Sequence, residues 1–398
     1  MPDFALPEYA LRILVRLHTH GYAAYLVGGC VRDLLMGRTP EDYDICTAAL
    51  PEQTLALFPD ALTVGLKHGT LIVRVEGGEC EVTTFRTDGT YTDHRRPDSV
   101  RFVEELRLDL ARRDFTVNAM AMSPDGTVSD PFGGAADIRA KRIRCVGDPT
   151  RRFEEDALRM LRAYRFAAKL DFRIDGETLD ALRSKAYLAE KVSPERACAE
   201  LGKLLMTEHA ELIFELMAVG LTDRYLLRRP SDGTVFAILP RLPALPAARW
   251  GVTAYLLLSQ GCIGSAEEFL ASLRMSTALI RAASDVAEAL RHPELTGRAD
   301  VKRLVRRCGE ETALCAAACL DTLYDGEREV VLRSAFAAGE CCTLRQLAVD
   351  GRELAALGLQ GREIGMMLDR LLEHVLDTPE DNRRELLLGL AQEWIRKG

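Results

Sequence analysis

Two periods run through the apolar and polar positions of this chain. Residues 7–20, PEYALRILVRLHTH, place apolar side chains at helical spacing and stop at Gly21, which predicts a helix. The apolar run Ala23 to Val27 then reads as a strand, and Val31 to Met36 as one or two helical turns ended by Gly37. Tyr43, Ile45 and Cys46 suit a second strand, and Pro51 to Phe58 a short helix. Leu71 to Val75 and Glu79 to Phe85 predict two strands joined by a hairpin turn at Glu76-Gly77-Gly78. Asp88 to Val103 is polar, contains Gly and Pro, and has little periodicity, so it reads as a loop.

Further along, the helical period takes over. Thr150 to Leu170 predicts one continuous helix with Phe153, Leu158, Leu161, Phe166 and Leu170 apolar, and Ser193-Pro-Glu-Arg196 opens another. From about residue 206 the pattern is helical throughout, with a weak boundary where prolines cluster with arginines between Arg228 and Arg249. The predicted fold class is α+β, with an N-terminal mixed α/β head around a small sheet followed by an all-α remainder.

Composition narrows the functional classes. At 398 residues and 47% hydrophobic, the chain is long enough for two or more domains. A net charge of −8 excludes a globally basic nucleic-acid binder, so any RNA surface must be local. Residues 139–169 hold ten Lys/Arg against four Asp/Glu, a net +6 that suits a polyanion. Arg298 to Arg307, RADVKRLVRR, is a second basic run, compatible with RNA backbone or with a solvated helix face. Eleven scattered cysteines without a C-x-x-C pair argue against a disulfide framework and a zinc site, and suit reduced cytosolic thiols. The start MPDFALPEYA lacks a signal-peptide pattern and no apolar run is long enough for a membrane span, so the expectation is a cytoplasmic protein without a membrane partner.

Candidate chemistry begins at GGCVRDLLMGRTPEDYD, residues 28–44. Gly28 and Gly29 allow a sharp turn and close approach to a ligand, a following helix offers free N–H groups to a phosphate, and Arg32 adds a fixed positive fork. On a strand, Asp42 and Asp44 would share one face roughly 7 Å apart, an arrangement suited to holding Mg²⁺ against a nucleoside triphosphate. Glu81, between Cys80 and Val82, is either a third acid on that face or a solvated strand glutamate. In Leu110 to Ala119, Arg113 and Asp114 are suited to a triphosphate or ribose. Asp156, Arg159, Arg162 and Arg165 recur every three residues on the long predicted helix. Asp156 can accept from the exocyclic amino group of C or A while Arg159 donates to a ring acceptor; the row also reads as an intrahelical salt bridge on a solvated face.

The combination of GG-x-V-R-D with D-x-D resembles the signature of the polymerase-β-like nucleotidyltransferases, in the class II branch of bacterial CCA-adding tRNA nucleotidyltransferases and poly(A) polymerases. RRDFTVNAM, DPFGG with Asp137, EDALRMLRAYRF and SPER resemble the family's second to fifth motifs. Residues 91–102 resemble a flexible loop that in the family takes part in the switch from C to A addition. The resemblance implies template-independent addition of C, C and A to the 3′ end of tRNA from CTP and ATP, with pyrophosphate released and two Mg²⁺ ions. It assigns Gly29 and Arg32 to the triphosphate, Asp42 and Asp44 to metal and catalysis, and Arg113, Asp156, Arg159, Arg162 and Arg165 to the nucleotide. It implies a catalytic head (1–145), a base-reading neck (146–205), a body (206–295) and a tRNA-binding tail (296–398). No DNA partner and no oligomeric state are implied. A poly(A) polymerase and an A-only or CC-only enzyme remain open at this point. From other classes, a non-catalytic RNA-binding module and a small-molecule nucleotidyltransferase agree less well with the intact acids and the long helical remainder.

Overall fold

The computed structural model describes residues 6–65, 68–89 and 100–397, and most of the predicted loop, residues 90–99, lies outside them. The chain divides into two compact units, residues 1–204 with 215–224, and residues 205–214 with 225–398.

The first unit begins with helix α1 (Glu8–Thr19), which buries Ala10, Ile13, Leu14 and Leu17, one apolar stripe at helical spacing. Strand β1 (Ala24–Val27), helix α2 (Gly29–Leu35), strand β2 (Asp44–Thr47) and helix α3 (Pro51–Leu57) follow. Strands β3 (Leu62–Gly65), β4 (Thr70–Val75) and β5 (Gly78–Thr84) come next, then the small antiparallel pair β6 (Arg86–Asp88) and β7 (Val100–Phe102). After helix α4 (Leu106–Ala111), strands β8 (Ala121–Met122) and β9 (Val128–Ser129) complete a seven-stranded sheet of order β3-β4-β5-β2-β1-β8-β9. Its pairings are antiparallel except β2 with β5, which run parallel and set Asp44 opposite Glu81. Ile13, Leu14 and Leu17 of α1 join Leu26, Ile45, Val73, Val82 and Met122 of the sheet in one core.

Short strands escape the sequence pattern for physical reasons, β8 and β9 with two residues each among them. β3 is an edge strand with an irregular register between Leu62 and Gly65, so no apolar alternation marks it. β6 and β7 have three residues each, too few to show a period.

Past the sheet, Asp130 accepts the N–H groups of Gly134 (2.7 Å) and Ala135 (2.9 Å) to open helix α5 (Gly134–Arg139). A Cβ at Gly134 would collide with the Thr116 carbonyl. Buried Asp137 collects the Thr116 hydroxyl (2.6 Å), Arg142 (3.0 Å) and Arg144 (2.9 Å). The DPFGG stretch is thus a turn built for packing. Strands β10 (Arg142–Ile143) and β11 (Arg173–Ile174) pair in parallel.

The single helix expected over Thr150–Leu170 is two helices, α6 (Pro149–Glu155) and α7 (Leu158–Leu170). The break falls at Asp156, with φ −141° and ψ 105°. There the Asp156 carboxylate accepts the Leu158 N–H at 3.1 Å, a local bond that competes with helix continuation. The apolar spacing persists across the break, which is why periodicity alone does not reveal it. Helices α8 (Gly176–Lys185), α9 (Pro194–Leu205) and α10 (Leu212–Ala218) follow.

The second unit contains α11 (Pro246–Ser259), α12 (Ala266–Ser272), α13 (Thr277–Ala289), α14 (Arg298–Cys308), α15 (Glu310–Tyr324), α16 (Arg328–Ala337), α17 (Gly351–Ala356), α18 (Arg362–Asp377) and α19 (Arg384–Lys397), and no strand among its described residues. Gly251 lets α11 meet α13 closely, since a Cβ there would sit 2.7 Å from Val286. Buried Arg249 spends its donors on the carbonyls of Leu205, Thr207, Pro240, Leu242 and Pro243, and so ties down part of the proline-containing segment.

Candidate active site

The glycine turn after β1 is fixed by geometry. Gly28 has φ +82°, a conformation that disfavours other residues, and a Cβ there would lie 3.2 Å from the Arg113 guanidinium. One turn into α2, Arg32 is buried. It donates to Asn118 Oδ1 at 2.6 Å and forms a fork with Asp33 at 2.9 and 3.0 Å. Its plane is therefore set by protein before any ligand arrives.

The two aspartates differ from the expected strand placement in one respect. β2 begins at Asp44, so Asp42 precedes the strand. Alternation nevertheless extends backwards: Tyr43 is buried while Asp42 and Asp44 remain open to solvent. Surrounding protein pushes the Asp44 carboxyl up to about 6, the Glu81 and Asp42 carboxylates push the same way, and Arg113 opposes them. Next to it, the Cys30 thiol is pushed up to about 11 by burial and so donates, to the carbonyls of Val27 (3.3 Å) and Asp44 (3.8 Å).

Asp114 is the hub between sheet and helices. One oxygen accepts the Phe115 N–H at 2.8 Å and the Asn118 amide at 3.2 Å. The other takes the Arg162 fork at 2.8 and 2.6 Å. Burial raises this carboxyl, but Arg162 and Arg159 outweigh it and hold it at about 2.

The four-residue row on the predicted long helix is rearranged by the break. Asp156 lies before α7 and is held by the Arg196 fork at 2.8 and 3.2 Å. Arg159 donates to Glu155 (2.8 Å) and the Arg112 carbonyl (3.0 Å) rather than to Asp156. Arg165 pairs with Glu200 and stacks 3.9 Å from the Phe166 ring centre, with Arg162 at 5.2 Å and Arg32 at 5.6 Å from the same ring. The local +6 is correspondingly muted: Lys141, Arg142, Arg144 and Lys169 also find carboxylates, on Asp171, Asp137, Asp175 and Glu41.

These groups surround one cavity of about 730 Å³, within the usual size of a small-molecule site. Gly29, Arg32, Asp42, Asp44, Arg113, Asp156, Arg159, Arg162 and Arg165 all line it. Glu81 does not, although it lies close enough to act on Asp44. Sequence reasoning left out Asp33, Asn118 and Phe166, which line the cavity, and Glu200, which braces two of its arginines. Arg196 also lines it; only the SPER motif had pointed there.

Residues 24–144 match the family model of the Poly A polymerase head domain, and residues 251–391 a model of tRNA nucleotidyltransferase domain 2. The CCA-adding enzyme of Geobacillus thermodenitrificans is 38% identical over 402 residues, 98% of this chain and 97% of that one. The chain belongs to the family of CCA-adding enzymes. A Streptococcus pyogenes CCA-adding enzyme is 52% identical over 202 residues, where the match spans about half of each chain. The crystal structure of the Bacillus stearothermophilus CCA-adding enzyme in complex with CTP superposes with a TM-score of 0.85 at 35% identity, covering 100% of this chain and 98% of that one. As a member of the family the chain is a nucleotidyltransferase, and its α/β head followed by helices is the architecture of that structure.

Among the described residues, no three His, Cys, Asp or Glu side chains form a ready metal cage. The donor set nevertheless fits a hard divalent cation. Asp42 and Asp44 offer carboxylate oxygens at an open cavity, and the Glu81 and Asp42 carboxylates add to the desolvation that raises the Asp44 carboxyl.

Proposed function

We propose that this chain adds C, C and A to the 3′ end of tRNA from CTP and ATP, without a nucleic-acid template, and that the 730 Å³ cavity is its nucleotide site. One observation carries the reading: nine residues chosen for nucleotide, metal and base chemistry line a single cavity although they span residues 29 to 165.

Gly29, Arg32 and Arg113 receive the triphosphate, through the glycine turn and two guanidiniums already oriented by protein acids. Asp42 and Asp44 hold Mg²⁺, which when bound supplies charge neutralisation at the triphosphate and lowers the pKa of a coordinated hydroxyl. Asp156 and Arg159 read the base edge, and Arg162 and Arg165 continue the wall. Arg196 orients the Asp156 carboxylate and leaves an Oδ2 lone pair for the amino group of C or A. U and G bring a carbonyl to that carboxylate. The tRNA 3′ end enters beside Asp42 and Asp44, and the helices beyond about residue 296 grip the rest of the RNA. No described helix is long and apolar enough to cross a membrane; a cytoplasmic reaction is the reading that a tRNA substrate supports.

The direct test supplies tRNA lacking its 3′ CCA and each labelled NTP in turn. Incorporation of C, then A after C, with no U or G, is expected. Asp42→Ala and Asp44→Ala should each abolish addition while tRNA binding stays near wild type. Extension by the double variant at near wild-type rate would overturn the metal assignment, and absence of C and A addition by the wild type would overturn the function.

A further inference from the structure

Asp109, on α4, is wholly buried. Its carboxylate accepts Arg112 Nε at 2.9 Å, Arg113 Nη2 at 3.1 Å and the backbone N–H of Arg86 at 3.3 Å. A carboxylate in such a place is costly unless charge and hydrogen bonds compensate it. Here the two guanidiniums outweigh burial and hold the carboxyl below its ordinary range.

What this does to Arg113 is specific. The side chain has several rotatable bonds, but one terminal nitrogen is fixed on Asp109 and the other is packed against the Gly28 turn, 3.2 Å from where a Cβ would stand. Its Nε is buried and has no hydrogen-bond partner. Asp109 therefore turns a flexible cation into an oriented one with donors in reserve beside the turn where a triphosphate would lie.

We propose that Asp109 is a positioning residue for nucleotide binding: it holds Arg113 against the glycine turn so that Arg113's remaining donors meet the triphosphate of CTP and ATP alike. The inference rests on the cavity being the nucleotide site. It predicts a loss indifferent to the base, unlike a loss at Asp156.

A double-mutant cycle on the full chain tests it. Equilibrium dissociation constants for CTP and ATP are measured for wild type, Asp109→Asn, Arg113→Ala and the double variant. Asp109→Asn should weaken both nucleotides by about tenfold, the scale of one charge-assisted hydrogen bond. On the Arg113→Ala background it should add less than about twofold, the mark of two residues acting as one unit. A merely structural Asp109 would lower thermal stability and leave both constants within twofold, or give multiplicative losses; either result overturns the proposal. If Asp109→Asn does not fold, Asp109→Glu keeps the charge but displaces the carboxylate. Unchanged binding in that variant also overturns the proposal. A wild type that binds neither nucleotide would instead overturn the reading of the cavity.

Discussion

Helices α7 and α14 look alike in sequence, each carrying three or more basic residues at spacings of three or four, and they use them differently. On α7, Arg162 pairs with Asp114 and Arg165 with Glu200, acids whose side chains are only 10% and 7% exposed. On α14, Arg303 and Arg306 pair with Glu373, Asp369 and Asp377 of α18, which are 42%, 51% and 58% exposed. Arg162 is as exposed (31%) as Arg303 (35%) and Arg306 (32%), and only Arg165 is more buried (11%), so the larger and consistent difference lies in the acids. A buried acid makes its arginine indispensable, because removing the partner strands a charge out of water. An exposed acid returns to water at little cost. The first set lines a cavity with oriented donors, while the second zips two surface helices together. A basic run therefore reveals neither a nucleic-acid surface nor its absence until the acids facing it are known.

The contrast is broken most directly at Arg162. Arg162→Ala leaves Asp114 buried with weaker compensation, and should cost about 3 kcal/mol at neutral pH, the low end of the range for a buried pair because Arg162 is partly exposed. The loss should carry a pH signature. In the wild type the Asp114 carboxyl is held at about 2, below its unfolded value, so its stabilisation is complete above about pH 4 and disappears as pH falls toward 2. Denaturant unfolding at pH 7 and pH 3 should show the gap between wild type and variant narrowing in acid. A gap independent of pH would mean that the pair is not what stabilises Asp114.

A second, somewhat smaller effect concerns base choice. Asp156→Ala should relax selectivity, with UTP gaining on CTP by about tenfold to a hundredfold in relative kcat/KM, the cost of one mispaired buried polar group. Arg196→Ala should move selectivity in the same direction by less, because the clamp is lost but the carboxylate remains. Ratios unchanged in both variants would reduce Asp156 to the side chain that accepts the Leu158 N–H at the break between α6 and α7.

Much of this was legible in the chain before the fold was known, and the illegible part has a common cause. The α1 stripe, the β4–β5 hairpin and the glycine turn follow from spacing within a dozen residues. Nine of the residues lining the cavity were readable because motifs preserve residue type at fixed positions, while lining residues such as Asp33, Asn118 and Phe166 were not. What stayed hidden is long-range: that Asp114 faces Arg162 across 48 positions, that Glu200 braces Arg165 across 35, and that Arg196 reaches Asp156 across 40. The break at Asp156 was hidden differently. It is a side-chain bond two residues long, too local to disturb the apolar period.

The smallest effect sharpens the other half of the comparison. Arg306 reaches Asp369 at 2.7 Å and also pairs with Glu373, which Arg303 holds independently at 2.8 Å. Removing Arg306 therefore frees only Asp369 outright, and that side chain is half exposed. Arg306→Ala should lower stability by less than about 1 kcal/mol, and the difference should shrink further in high salt. If the charge of Arg306 is already committed to α18, the KM for tRNA should also stay within about twofold, whereas a lost phosphate contact would raise it and flatten its salt dependence. A tenfold rise in KM with unchanged stability would show that RNA outcompetes α18 for this arginine, and that the ion pairs of α14 are a resting arrangement displaced on binding.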